Sequence, residues 1–285
     1  MLGTYHLGAL FEILNKLHFV YDPQKLWQFV LEQACKTVQA EAGTYFELAD
    51  NEKDLQIGSA YGIDEKRLRE ISFQVGTGIA GWVAQYHQPA LVTDVRQDNR
   101  FTKHVDLVTG FNTRSILCVP VFSQKRSYGV IEVLNRKGGQ FSPQDQEFMI
   151  LLGRQAAIAY QNLLLLDEVS NTKMLLESLL LNLSGGLIAI DLKSQITIFN
   201  PAAATILHLP AGSYVGQPAA AVLKDFPWMI KTLGDTLSSK STVSRQETML
   251  SIGTESAKIG YTTILISDPQ RIVLGSGMIF QRLSH

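Results

Sequence analysis

The segment from Ser142 to Leu183 constrains the fold of this chain more than any other. Ser142-Pro-Gln-Asp145 has the residue types of a helix start, and apolar residues recur at helical spacing through the stretch that follows. One stripe, Phe148, Leu151, Ile158, Leu165, Val169, Leu176, Leu179 and Leu183, is heptad-like and is broken by Gln155, Asn162 and Thr172. A neighbouring stripe holds Met149, Leu152, Ala156, Ala159, Leu163 and Leu166. Two apolar faces need two covers, one from the helix's own domain and one from a partner. The spacing predicts a helix to about Leu183, with Asn171-Thr172 as a candidate interruption. It also predicts a homodimer through Ile158, Leu165, Val169 and Leu176. The same pattern suits a helix buried between two domains of a monomer.

A chain of 285 residues holds two domains, each able to bury a core. With 46% hydrophobic and 18% charged residues, its composition is ordinary for globular proteins. The net charge of −1 provides no general attraction to nucleic acid or to an anionic membrane. Cys35 and Cys118 are too few for a disulfide framework, and both stand in apolar contexts that read as reduced core residues. The N-terminus lacks the basic and apolar regions of a signal peptide, and no uninterrupted apolar run approaches bilayer length. The expected compartment is the cytoplasm, with no direct membrane insertion.

Before the long helix, the stripe Leu7, Leu10, Phe11, Leu14 and Leu17 predicts a first helix. Asp22-Pro23 opens a second, whose buried stripe is Leu26, Phe29, Val30, Ala34 and Val38. Strands are predicted at Gly43–Leu48, Leu55–Tyr61, Phe73–Val75, Pro89–Val92, Ser115–Phe122 and Tyr128–Leu134. A helix falls at Ile79–Tyr86, and a polar, partly helical excursion runs from Asp94 to about Thr109. Strands mixed with helices at both ends read as α+β rather than βαβ.

Four segments in this order resemble GAF domains. They are Phe73-Gln-Val-Gly-Thr-Gly-Ile-Ala-Gly-Trp82-Val, Val92-Thr-Asp94-Val-Arg-Gln-Asp98-Asn-Arg-Phe101, Thr109-Gly-Phe-Asn-Thr-Arg-Ser-Ile-Leu-Cys-Val-Pro120-Val and Gly129-Val-Ile-Glu-Val-Leu-Asn135. After Ser184-Gly-Gly186 come a hairpin (Leu187–Asp191, Ile196–Phe199), a short helix from Asn200-Pro201 and another from Pro227 to Leu237. Three late strands close the chain: Ser241–Ile252, Ser256–Ser267 and Ile272–Arg282. This order, carried by Gly186-Leu-Ile-Ala-Ile-Asp191 and Ile-Thr-Ile-Phe-Asn200-Pro-Ala-Ala, resembles a PAS domain of the type preceding histidine-kinase cores. The expected architecture is α+β. Two domains each have a central antiparallel sheet flanked by helices: a GAF-like domain at 1–166 and a PAS-like domain at 185–285, joined by a helix at 167–184.

The GAF resemblance implies a ligand pocket above the central sheet, enclosed by the excursion and the helix near Ile79. Its implied lining is Trp82, Asp94, Phe101, His104, Val105, Thr113 and Cys118. A pocket filled by its own side chains is the alternative. Cyclic nucleotide is the best-known ligand class of the family, and its motif is Asn-Lys, Phe, then Asp-Glu. Here it reads Asn135-Arg136, Phe141 and Asp145-Gln146, so it is half present and predicts a structural Arg136–Asp145 pair. Covalent bilin needs an accessible cysteine, commonly followed by His, and Lys36 follows Cys35 while Cys118 lies mid-strand. Methionine-sulfoxide reduction in this family uses cysteines in the excursion, where there are none. His104 would face the pocket if the excursion is helical, whereas His18, His87 and His208 have no ligating partner at metal spacing.

The PAS resemblance implies haem or flavin only with a histidine on the helix from Pro227 or a cysteine after Asn200, and both are missing. Gly76-Thr-Gly78-Ile-Ala-Gly81 lacks the Lys-Ser/Thr of a phosphate loop and reads as tight-turn geometry. The chain is expected to be the sensory region of a signalling protein, the input half of a histidine kinase. It would bind a small ligand or partner in its first domain and act on an output domain or partner signalling protein. It is expected to have no catalytic centre and no haem, flavin or bilin. The alternatives are the input half of a transcription regulator or nucleotide cyclase, and a free-standing dimerisation scaffold.

Overall fold

A computed structural model of the chain describes residues 3–17, 19–123, 126–210, 212–252 and 255–283, which leaves His18 outside. The chain forms two compact units, Met1–Val169 and Ser170–His285.

In the first unit, α1 (Thr4–Leu17) and α2 (Pro23–Thr37) precede β1 (Ala40–Leu48) and β2 (Asp54–Tyr61). Asp22 caps α2 by accepting from the Lys25 amide at 2.8 Å, with Pro23 in the first turn as its fixed φ favours. Then follow α3 (Glu65–Leu68), β3 (Phe73–Gln74), α4 (Gly78–Tyr86) and β4 (Ala90–Val92). After a 3-10 turn at Val95–Gln97 come α5 (His104–Thr109), β5 (Ile116–Ser123), β6 (Arg126–Arg136) and α6 (Pro143–Asn182). The six strands form one antiparallel sheet in the order β3-β2-β1-β6-β5-β4.

Alternation along the strands makes two cores. Tyr45, Leu117, Val119, Ile131 and Val133 face α1, α2 and the start of α6, where Trp27 stacks on Tyr45 with ring centroids 3.6 Å apart. Phe46, Ile116, Cys118, Val130 and Leu134 face the other way, under α3, α4 and the excursion. The stripe on α2 is buried as its spacing requires: Leu26, Val30, Ala34 and Val38 are inaccessible and Phe29 partly covered. On α1 the buried residues are Ile13 and Leu17, while Leu7 and Phe11 are exposed, which corrects the stripe drawn through them.

Helix α6 is unbroken through Asn171-Thr172. Its first half buries Phe148, Met149, Leu152 and Ala156 in the first core, so Phe148 belongs to the domain-facing side rather than to the outward stripe. Ile158, Leu165, Leu166 and Val169 are exposed in the first unit, and Leu176, Leu179 and Leu183 in the second. By length and composition α6 reaches the level of a bilayer-crossing helix, with mean hydropathy 1.2 over an 18-residue stretch that is 33% buried. That level comes from the two stripes together, neither of which is an unbroken apolar run, so the expectation about uninterrupted runs is not overturned.

The second unit has β7 (Gly186–Asp191), β8 (Ile196–Phe199), α7 (Pro201–Ile206), α8 (Ala219–Val222) and α9 (Pro227–Ser239). Then come β9 (Gln246–Ile252), β10 (Glu255–Ser267) and β11 (Val273–Arg282), in the sheet order β8-β7-β11-β10-β9. Asn200 caps α7 by accepting from the Ala203 amide at 3.0 Å, and the same oxygen accepts from the Leu187 amide at 2.8 Å. Ile188, Ile190, Leu223, Met229, Leu233, Met278 and Phe280 are the centre of its core. Strand β9 begins five residues later than Ser241, after Arg245 takes a left-handed φ of 51°. Helix α8 was not expected from Gly216-Gln-Pro218.

Candidate functional site

On the second face of the first sheet, α3, β3, α4 and the excursion leave a cavity of about 200 Å³. Its walls are largely apolar, with Phe46, Phe73 and Phe101 supplying three aromatic rings, and Phe46 meets Phe73 edge-on at 4.8 Å.

The glycine-rich turn shapes one wall. Gly76 and Gly78 take φ of 85° and 70°, where a side chain is strained, and a Cβ on Gly81 would lie 2.2 Å from the Gln74 oxygen. This turn therefore brings the start of α4 hard against β3. Thr77 leaves α4 without a side-chain cap, and Thr77, Gly78, Ile79 and Ala80 border the cavity.

The excursion is closed by hydrogen bonds of its own. Asp106 accepts from the Thr113 amide at 2.9 Å and from its hydroxyl at 2.5 Å, which ties α5 to the approach of β5. Thr109 Oγ1 donates to the Val105 oxygen at 2.8 Å, and Gly110 ends α5 in the left-handed region at φ 73°.

Of the seven residues expected in the pocket, Phe101, His104, Val105 and Thr113 line it. Trp82, Asp94 and Cys118 do not, and each has a physical reason. Trp82 packs 5.2 Å from Tyr86, and the Arg100 guanidinium lies 4.4 Å over its ring. Asp94 caps the 3-10 turn, accepting from the Arg96 amide, the Arg96 guanidinium and Gln97. Those bonds, above all from Arg96, hold its carboxyl well below the usual carboxylate range. Cys118 is fully buried beneath the cavity, where desolvation raises its thiol well above the usual range. Cys35 is pushed up to about 12 by the same cause, which favours the protonated thiol at both positions.

The residue that sequence reasoning missed is Glu132. It stands on β6 opposite Thr44 of β1 and Cys118 of β5, and it lines the cavity. Desolvation first, then the nearby Asp106 charge, push its carboxyl up to about 7. Among the described residues it has no hydrogen-bond partner, and the surface it retains opens on the cavity. Its signal in the sequence was a carboxylate flanked at i±2 by Val130 and Leu134, on a strand otherwise buried.

The Asn135-Arg136, Phe141, Asp145 motif lies elsewhere and is structural in geometry. Asn135, at φ 55°, accepts from the amides of Arg114 (2.7 Å) and Ser115 (3.3 Å) and donates to Asn112 O (2.9 Å) and Glu41 (2.8 Å). Phe141 is buried in the first core. Buried Asp145 accepts from the Ser142 amide and hydroxyl at 2.7 and 2.8 Å, has His6 Nε2 at 3.1 Å, and has Arg136 Nε at 3.3 Å. The Arg136 contact lacks hydrogen-bond alignment, so its attraction is Coulombic.

The glycine turn, the sheet order and the excursion over the cavity all fall within residues 22–160, which match the family described as GAF domain. Residues 22–160 form a GAF domain. The GAF domain from a phosphoenolpyruvate-protein phosphotransferase of Coxiella burnetii superposes with a TM-score of 0.51 at 16% identity, covering 56% of this chain and 96% of that one. That likeness shows the fold. The probable 3',5'-cyclic phosphodiesterase pde-5 of Caenorhabditis elegans is 27% identical over 166 residues, 58% of this chain and 22% of the relative. The cone cGMP-specific 3',5'-cyclic phosphodiesterase subunit alpha' of Mus musculus is 36% identical over 80 residues, 28% of this chain and 9% of the relative. The match thus spans less than a quarter of either relative's length.

Proposed function

We propose that this protein is a sensory module whose GAF domain takes a small ligand into the cavity above its sheet and relays occupancy through α6. The observation that carries the reading is the cavity itself: largely apolar walls, a carboxylate at Glu132 with no hydrogen-bond partner among the described residues, and an excursion tied by Asp106 and Thr113. A ligand preferring one packing of the excursion over the sheet would bias the start of α6 on the opposite face. The strand order β8-β7-β11-β10-β9, with two short helices and a 13-residue one between β8 and β9, supports a PAS-like reading of the second unit. On that reading the chain is a cytoplasmic, non-enzymatic input region controlling a histidine-kinase output, with no resident haem, flavin or bilin. The phosphodiesterase relatives direct attention to cyclic nucleotides, but Arg136 is engaged with Asp145 and the motif's last position is Gln146.

The outward residues Ile158, Leu165 and Val169 favour a second element, a homodimer through α6.

Hydrogen exchange on the full chain tests the sensory reading. The low-mass metabolite fraction of the expression host should slow exchange at 104–113 and at 143–157 and raise the melting temperature. If it changes neither, and denaturing the purified protein releases no small molecule, the reading fails.

A further inference from the structure

We infer that the GAF cavity takes a compact organic cation, a protonated amine or amidine on an apolar body, with Glu132 as its anchor. The inference rests on the sensory reading above and adds the size and charge of what is sensed.

Size comes first. A cavity of about 200 Å³ is smaller than the roughly 300–1,000 Å³ that holds drug-sized ligands. Its occupant is therefore smaller than a nucleotide.

Charge follows from the lining. Among the described residues two carboxylates, Glu132 and Asp106, border the cavity, and no Lys or Arg does. Asp106 is occupied by Thr113, whereas Glu132 has no protein hydrogen bond among the described residues. A desolvated carboxylate without a partner is costly, and a ligand ammonium would relieve that cost. The rings of Phe46, Phe73 and Phe101 suit the cation and its apolar body alike. An anion would instead meet two acidic groups, set against His104 and the uncapped start of α4.

The groups around Glu132 bear on how binding varies with pH. Asp106 and His104 face the cavity from α5, and Cys118 stands opposite on β5. Thr44 opposes it on β1, and α3, β3 and α4 bring no charged side chain to the cavity. Arg100, on the excursion, is held by Asp98 at 2.6 Å. Burial pushes the Glu132 carboxyl up to about 7, so a cation drives its ionisation and binding releases a proton.

An isosteric series on the full chain tests this: benzylamine, benzyl alcohol and benzoate, with cGMP beside them, by calorimetry at about pH 6 and about pH 8. The amine stays protonated at both. Benzylamine should bind at least ~10-fold more tightly than the alcohol, and benzoate not at all. Its affinity should strengthen toward the higher pH in the wild type and stay level in Glu132→Gln, whose preference for amine over alcohol should collapse. The series on the wild type needs no variant to fold. If the alcohol, benzoate or cGMP binds as tightly as the amine, the cation assignment is overturned and a sensory pocket stands. Silence from all four overturns the assignment, and the exchange experiment then decides the sensory reading separately.

Discussion

Glu132 of β6 stands directly across the ladder from Thr44 of β1, and both side chains line the same cavity. The pairing places an ionisable group where desolvation moves its carboxyl from the ordinary 4.5 up to about 7. Because the folded value is the higher one, the native chain keeps a proton that the unfolded chain has already lost within that window. Stability therefore falls as pH rises from about 4.5 to about 7, and the loss is complete above it. At about 1.4 kcal/mol per unit the ceiling is about 3 kcal/mol. Glu132→Gln should be more stable than the wild type at about pH 8 and equal to it near pH 4.5. Urea unfolding at both values checks this; curves shifted by the same amount at both would count against it.

Asp106→Ala removes the acceptor for both Thr113 bonds and should cost about 1–3 kcal/mol. The effect should be local, with faster amide exchange at 104–113 and unchanged protection in β5 and β6. Uniform loss of protection would show that the excursion is part of the global folding unit.

The motif residues should separate sharply. Asn135→Ala strands the amides of Arg114 and Ser115 and should destabilise by about 2–4 kcal/mol. Arg136→Ala should cost about 1 kcal/mol or less, since Asp145 keeps Ser142 and His6. Thermal unfolding of the two variants side by side decides it, and equal losses would contradict the assignment.

Leu165→Lys combined with Val169→Lys places two charges on the exposed face of α6. Sedimentation should report monomers, against dimers for the wild type. An unchanged mass ratio between the two would remove α6 as the dimer seam.

Cys35 and Cys118 should resist a thiol reagent at about pH 8 in the native chain and react fully once it is unfolded, because burial holds both protonated. Rapid native labelling of either would place it at a surface.

Much of the fold was legible because it is written in local patterns. Asp22-Pro23 announces α2, the turn glycines announce the junction of β3 and α4, and a helical repeat beginning at Ser142 announces α6. The first helix misled because its apolar residues cover a wide arc, and only packing selects Ile13 and Leu17 over Leu7 and Phe11. The pocket misled in a similar way. Of the lining implied by the resemblance, Phe101, His104 and Val105 on the excursion and Thr113 just after it border the cavity, while Trp82 on α4 and Asp94 turn to Arg100 and to Arg96.

Sequence alone determined the α+β class, the strand inventory and the long helix, since periodicity and capping act between residues a few positions apart. Tertiary structure alone decided that Glu132, hidden in an apolar strand, is an ionisable group of the cavity. Its character comes from Thr44, Cys118 and Asp106, which are distant in sequence, and desolvation exists only once those segments have closed around it.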